Sequence, residues 1–251
     1  MNLPESSVFD AIYDSPWHHP MLCWAAVPLL LWALGRVRKR PGATPAATTL
    51  WRLALLGTLL LFADALCTGA WSPLLPDSRL SGVVGLLFVV LGDLRYFVLL
   101  ERFAPPSGPG LVPPPRFWSR ALALSLLSPW LSGVLGAAAP ALVREPRWRF
   151  LSYELTFLLL LAWVRWVRLP RRLRAFPPGP EMVALRHWLL RLTRFEAAQY
   201  GLWVLADILI LSGVRAGLLL RLIPNGLYYV VFIPFAYFTA PPALRPAPRA
   251  T

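Results

Sequence analysis

The stretch SGVVGLLFVVLGDLRYFVLLE, residues 81–101, decides the fold class because it is apolar over the length of a membrane span. An α-helix needs about 20 such residues to cross the hydrocarbon core. The chain is 57% hydrophobic with a mean hydropathy of +0.56. Lipid leaves a spanning backbone only helices or a closed barrel, and the alternation of a barrel is absent. The sequence therefore predicts an all-α integral membrane protein with about seven transmembrane helices. Their predicted bounds are 21–36, 51–73, 81–101, 118–142, 149–168, 196–213 and 222–240.

Charge placement predicts the orientation of this bundle. The chain has 25 Lys and Arg against 12 Asp and Glu, a formal net charge of +13. Most of the cations fall in the loops after the first, third and fifth spans and in the tail, which is typical of cytoplasmic loops. This placement explains the charge without a nucleic-acid partner and leaves membrane lipids as the expected partners. We expect an extracytoplasmic segment (1–20), a seven-helix membrane domain (21–240) and a cytoplasmic tail (241–251), with a bacterial inner membrane as the location.

Ionisable side chains inside the predicted spans are the candidate functional groups, because charges at membrane depth are costly and usually face an interior. A rise of 1.5 Å per residue, counted from each outer helix end, places four of them in the outer half of the membrane. These are Asp64, Glu154, Asp207 and Asn225, and Asp93 lies below them near the midplane. If their helices face one another, the residues form a funnel that opens outward.

Arg95 follows Asp93 by two residues, so the two side chains point about 200° apart and do not face each other. Arg95 also leans toward the helix N-terminus, away from the nearer water. We therefore expect it to pair with a carboxylate on another helix, with Asp64 as the first choice. Asp93 shares its helix face with Tyr96 instead.

The residues that several chemistries require are missing from the spans. The single lysine lies in a loop, none of the three histidines lies inside a span, and no H-E-x-x-H, G-x-S-x-G or P-loop motif occurs. We expect no metal or cofactor. Catalysis would then rest on Asp64, Asp93 and Asp207, which could act as acid and base on water, bind a cation or relay protons. The candidate substrate-binding residues are Tyr96, Glu154, Trp203, Asn225 and Tyr228.

Four segments occur in an order that carries a family resemblance: LLLFADALCTG (59–69), GLLFVVLGDLRYF (85–97), LWVLADILILSG (202–213) and NGLYYVVF (225–232). Together they resemble the lysoplasmalogenase-like multi-pass membrane proteins. Ala63 and Ala206 replace the Gly and Ser that precede the family's aspartates, Asp93 stands where the family has His, and the Ala-Gln after the tyrosine pair is absent. The resemblance implies a hydrolase that cleaves the vinyl-ether bond of lysoplasmalogens. It places Asp64 and Asp207 beside a lipid-accessible water, with Asp93 and Tyr96 nearby.

Three functions therefore remain open. The first is a lipid hydrolase acting on lysoplasmalogen-like ether lysolipids. The second is a proton- or cation-coupled transporter of small molecules, for which Pro129, Pro224 and Pro234 could supply breaks in helices. The third is a non-enzymatic sensor or scaffold that acts through the arginine-rich cytoplasmic loops.

Overall fold

A computed structural model describes residues 8–13, 15, 19–38, 44–68, 72–74, 78–104, 114–139 and 146–245. None of these residues forms a β-strand, so the predicted all-α class is confirmed. Residues 1–7 of the predicted outer segment and 246–251 of the predicted tail lie outside the described residues. The helices are α1 (Val8–Tyr13), α2 (His19–Arg38), α3 (Pro45–Thr68), α4 (Arg79–Phe103), α5 (Pro114–Ala138), α6 (Pro146–Trp163), α7 (Leu169–Leu173), α8 (Pro180–Leu211), α9 (Ala216–Gly226) and α10 (Phe232–Phe238).

Two π-helical turns interrupt the later helices. Val164–Arg168 joins α6 to α7, and Leu227–Val231 joins α9 to α10. Each pair of helices thus continues in one direction through a wider turn, and a short 3₁₀ turn, Pro242–Leu244, follows α10.

Five helical stretches in the described part of the chain are long and apolar enough to cross a membrane. They are Pro45–Thr68, Arg79–Phe103, Arg116–Ala138, Arg147–Leu173 and Ala216–Phe238. The first predicted span falls in α2, whose described apolar part is the shorter Ala26–Gly35. The sixth falls within α8, which has 32 residues but is not among the five. The described residues therefore form five helices with the length and composition of membrane spans. The seven-span arrangement stays a prediction.

The helices form a closed bundle in which neighbours in sequence are mostly neighbours in space. Contacts run from α2 to α3, α4, α5 and α6 in order, then from α6 to α8 and on to α9. The ring closes where α10 packs on α3 and the turn Leu227–Val231 packs on α2. The second half of α4 lies in the centre, because nearly all of its side chains from Arg95 to Phe103 are buried.

The outer surface of the bundle is apolar, whereas many polar side chains are inside. Leu29, Leu159 and Trp166 are about 70% exposed, at 69%, 72% and 70%. In contrast, Asp64, Asp93 and the other acids of the predicted spans are buried. This distribution is the one expected of a bundle whose solvent is lipid, because apolar surface costs nothing there and polar groups must find partners inside.

Candidate functional site

A cavity of about 1130 Å³ occupies one end of the bundle. Its wall comes from the last turns of α3 and α5, the first turns of α4 and α6, the second halves of α8 and α9, the turn Leu227–Val231 and the end of α1. Ligand sites are typically concave, mostly apolar and several hundred Å³ in volume, with a few polar groups that fix orientation. The cavity is large enough for a small amphiphilic molecule.

Asp64 lies on the wall of this cavity at the end of α3. Its carboxylate accepts a hydrogen bond from Thr68 Oγ1 at 2.7 Å, one helical turn later, and a second from the hydroxyl of Tyr229. Thr68 and Tyr229 also line the cavity. The aspartate is thus held in a fixed orientation by two neutral hydroxyl groups while it faces the enclosed space.

Asp93 lies beneath the cavity and does not line it. The hydroxyls of Tyr153 on α6 and Tyr200 on α8 donate to its two carboxylate oxygens. Both tyrosines do line the cavity, and Tyr200 stacks on Phe157 with ring centroids 4.0 Å apart. Asp93 therefore reaches the cavity only through these two phenol groups, whose positions it sets.

The third aspartate, Asp207, is held by two arginines and lies away from the cavity wall. Arg221 Nη1 pairs with its Oδ1, and Arg147 Nη1 lies 3.5 Å from the same oxygen. Asp207 is completely buried. The expectation that Asp64 and Asp207 lie on either side of one water is therefore not met, because ion pairs hold Asp207 behind Arg221.

Glu154 replaces Asp207 as the second carboxyl group on the cavity wall. Its Oε1 lies 3.7 Å from Arg221 Nη1, so Arg221 stands between Glu154 and Asp207. The other oxygen, Oε2, is buried and has no hydrogen-bond partner among the described residues. Glu154 thus lies on the cavity wall with one carboxylate oxygen that is buried and unpaired.

Aromatic and amide groups complete the polar part of the wall. Trp203 Nε1 donates to Asn225 Oδ1 at 2.8 Å, and the rings of Trp203 and Tyr228 lie 5.8 Å apart. Trp203, Asn225 and Tyr228 all line the cavity, and together with Glu154 they are four of the five candidate substrate-binding residues. Tyr96 does not, because its hydroxyl bonds Thr193 Oγ1 at 2.8 Å in the core between α4 and α8.

Arg95 does not pair with Asp64, so that prediction is wrong. No carboxylate of the described residues lies within 4.0 Å of its guanidinium. Arg95 Nη1 instead donates to the carbonyl of Tyr228 at 3.3 Å, and the guanidinium carbon lies 4.2 Å from the centre of the Tyr228 ring. The backbone hydrogen-bond pattern between α9 and α10 is changed by the π-helical turn Leu227–Val231. Arg95 donates to one carbonyl of this turn.

Sequence reasoning missed Arg221, Tyr153 and Tyr200 as parts of this site. Arg221 directly precedes the predicted last span (222–240), but α9 begins at Ala216 and buries it. The available signal was an arginine with apolar neighbours on both sides and with Asn225 one helical turn later. The two tyrosines carried no comparable signal, because their partner Asp93 is distant in sequence.

No group of three or more His, Cys, Asp or Glu within the described residues is close enough to hold a metal ion. The polar groups instead offer two carboxyl groups, two guanidinium groups and several phenol hydroxyls to a single cavity. Such a set can transfer protons to and from a bound molecule and a water.

Comparison with known proteins found no matching family model, no similar curated protein and no similar solved structure.

Proposed function

We propose that the chain is a membrane-embedded hydrolase of single-chain ether lysolipids that resemble lysoplasmalogens. The observation that carries the proposal is the pair of carboxyl groups, Asp64 and Glu154, on the wall of one cavity inside an apolar bundle. The order of motifs along the chain supports the same substrate class. Small residues of α4 and α5, such as Gly85 and Gly133, line the wall and leave room for an alkyl chain.

Hydrolysis of a vinyl ether needs an acid and a base. The acid protonates the carbon β to the ether oxygen, and the base removes a proton from the water that adds to the α carbon. The resulting hemiacetal then breaks its bond to the glycerol oxygen, which releases a fatty aldehyde and a free hydroxyl group. The net reaction consumes one water and needs no other reagent.

The contacts of the two carboxyl groups support a division of these roles. Asp64 accepts hydrogen bonds from Thr68 and Tyr229, which suits a carboxylate that acts as the base on water. Glu154 also lies on the cavity wall and shares Arg221 with the buried Asp207. Glu154 is therefore the acid in this proposal.

The other two candidate catalytic residues act through their neighbours. Asp207 fixes Arg221 beside Glu154, and Asp93 fixes the hydroxyls of Tyr153 and Tyr200 at the floor of the cavity. Both aspartates are thus positioning residues.

The experiment is release of fatty aldehyde from a 1-alkenyl lysophospholipid by purified protein in detergent or vesicles. Removal of a general acid or base costs about 10²–10⁴ in rate, so Asp64→Asn and Glu154→Gln should each lose at least about 100-fold. Glu181→Gln is the matched control, because Glu181 is an exposed acid at the start of α8. Full activity in both cavity variants would contradict the proposal.

The same proposal includes seven spans with the N-terminus outside and the C-terminus in the cytoplasm of a bacterial cell. Ser212 and Ala175 are both exposed at opposite ends of the later helices. In a cysteine-free background, Ser212→Cys should react with a membrane-impermeant maleimide in intact cells and Ala175→Cys should not. The reverse pattern would overturn this orientation.

A proton-coupled transporter is the second candidate, and the break in the last span favours it. The π-helical turn Leu227–Val231 lies between Pro224 and Pro234 and contributes Tyr228 to the cavity. Interrupted helices at a midplane site are typical of secondary transporters. Proton-dependent uptake into vesicles that is lost in Asp93→Asn, without lysolipid hydrolysis, would favour this function over the first.

A further inference from the structure

A second cluster of charged side chains lies at the opposite end of the bundle from the cavity. Glu101 is near the end of α4, sixteen residues or about 24 Å along the helix from Gly85 on the cavity wall. Its side chain is completely buried, with an exposed fraction of 0%. Arg168 Nη2 donates to Glu101 Oε1 at 2.7 Å, and Arg172 Nη2 donates to Oε2 at 2.9 Å.

Arg172 also binds the end of α4 directly. Its Nη1 lies 2.8 Å from Glu101 Oε1 and donates to the carbonyl of Ala104 at 2.9 Å. The carboxylate and the carbonyl of the residue that follows α4 are thus both bound by arginines from the segment that follows α6. Both carboxylate oxygens of Glu101 and the carbonyl of Ala104 therefore already accept hydrogen bonds from Arg168 and Arg172.

The cluster has more positive than negative charge. Arg168 and Arg172 bring two positive charges to the single carboxylate of Glu101, and Arg120 on α5 acts electrostatically on Arg172 as a third cation. Among the residues that the structure describes, no second carboxylate forms an ion pair with Arg120, Arg168 or Arg172. Buried charge without a counterion is costly, so the surplus calls for a bound anion.

The cluster opens toward the lipid-facing surface. Arg168 is 18% exposed in its side chain and lies 5.1 Å from the ring centre of Trp163. Trp163 and Trp166 are 41% and 70% exposed on the same stretch of helix. Tryptophan is enriched where membrane meets water, so this surface lies at the depth of lipid headgroups.

We infer that Arg120, Arg168 and Arg172 form a binding site for the phosphate of an anionic lipid headgroup. Arginine matches phosphate geometry with two parallel N–H donors, and anionic lipids favour basic pockets on the cytoplasmic side. This site is separate from the cavity and does not depend on the proposed hydrolase activity. The bound phosphate anchors the turn Val164–Arg168 and α7 against α4 and α5.

The test compares thermal unfolding of the full chain in phosphatidylcholine vesicles with and without phosphatidylglycerol. A ligand that binds only the folded state raises the unfolding temperature by mass action. We expect the lipid-dependent rise to fall by more than about half in Arg120→Gln and in Arg168→Gln. Arg174→Gln is the matched control. It removes the same charge from an exposed arginine nearby that does not contact Glu101. It should keep the full rise.

Arg120→Gln keeps the inference testable if Arg168→Gln fails to fold, because Arg120 makes no ion pair with Glu101. An equal rise in wild type, Arg120→Gln and Arg174→Gln would overturn the site and leave only general surface charge. Inorganic phosphate added to phosphatidylcholine vesicles distinguishes the source. If it alone produces the same variant-dependent rise, a soluble phosphate is the ligand and the lipid assignment is wrong.

Discussion

Replacement of Gly92 by alanine tests the contact between α4 and the π-helical turn that carries Tyr228. A Cβ atom at Gly92 would overlap the hydroxyl of Tyr228 and lie 2.7 Å and 2.8 Å from Cζ and Cε2 of its ring. Two contacts hold this ring in place. Arg95 lies over it at 4.2 Å, and its hydroxyl bonds the carbonyl of Phe88 at 3.4 Å.

Two opposing effects set the magnitude. Alanine is better than glycine in a helix by about 1 kcal/mol. Overpacking of a tight core costs about 1–3 kcal/mol, and the complete overlap at Gly92 places it at the upper end. The net loss is about 2 kcal/mol, which lowers the unfolding temperature by roughly 4–8 °C for a chain of this size.

The matched control is Gly85→Ala, the same substitution two turns earlier on α4. Nothing lies within 4 Å of a Cβ at Gly85, so only the helix preference acts there. We expect Gly85→Ala to raise stability by about 0.5–1 kcal/mol. Thermal unfolding in detergent, followed by tryptophan fluorescence, measures both variants. Equal stability of the two variants would refute the packing of Tyr228 against Gly92.

Three further contacts are tested by the same unfolding measurement. Glu101→Gln leaves Arg168 and Arg172 without their carboxylate and should cost about 3–5 kcal/mol, whereas a change below about 1 kcal/mol would contradict the buried cluster. Asp207→Asn and Arg221→Gln should each destabilise, and the double variant should lose less than their sum by about 0.5–3 kcal/mol; strict additivity would mean that they do not interact. Arg95→Leu should cost about 1.5–3 kcal/mol through its charged hydrogen bond to Tyr228, and wild-type stability would show that this bond contributes nothing.

The helical class and the place of most polar wall residues followed from the sequence. Apolar blocks about as long as the bilayer core is thick predicted the five long apolar helices of the structure. This worked because the length of an apolar block can be read directly from consecutive residues. The depth of each acid along its helix also needed only the helical rise. Asp64, Glu154 and Asn225 accordingly share one end of the bundle with the cavity.

Which side chains pair across helices did not follow from the sequence. The partner of Arg95 is a backbone carbonyl in a π-helical turn, a geometry that a regular 3.6-residue period does not represent. Asp93 binds Tyr153 and Tyr200 on two other helices, and the rotation of each helix about its axis decides that contact. The predicted last span starts at residue 222, whereas α9 begins at Ala216 and therefore includes Arg221.

The hydrolysis rate of the Asp64→Asn variant tests the central claim most directly. The measurement is aldehyde release from a 1-alkenyl lysophospholipid at saturating concentration by wild type and variant, both checked for equal unfolding temperature. The cavity geometry predicts a measurable wild-type rate and at least about a 100-fold loss in the variant. No aldehyde release by the wild type, or rates within about twofold of each other, would contradict the assignment of Asp64 as the base.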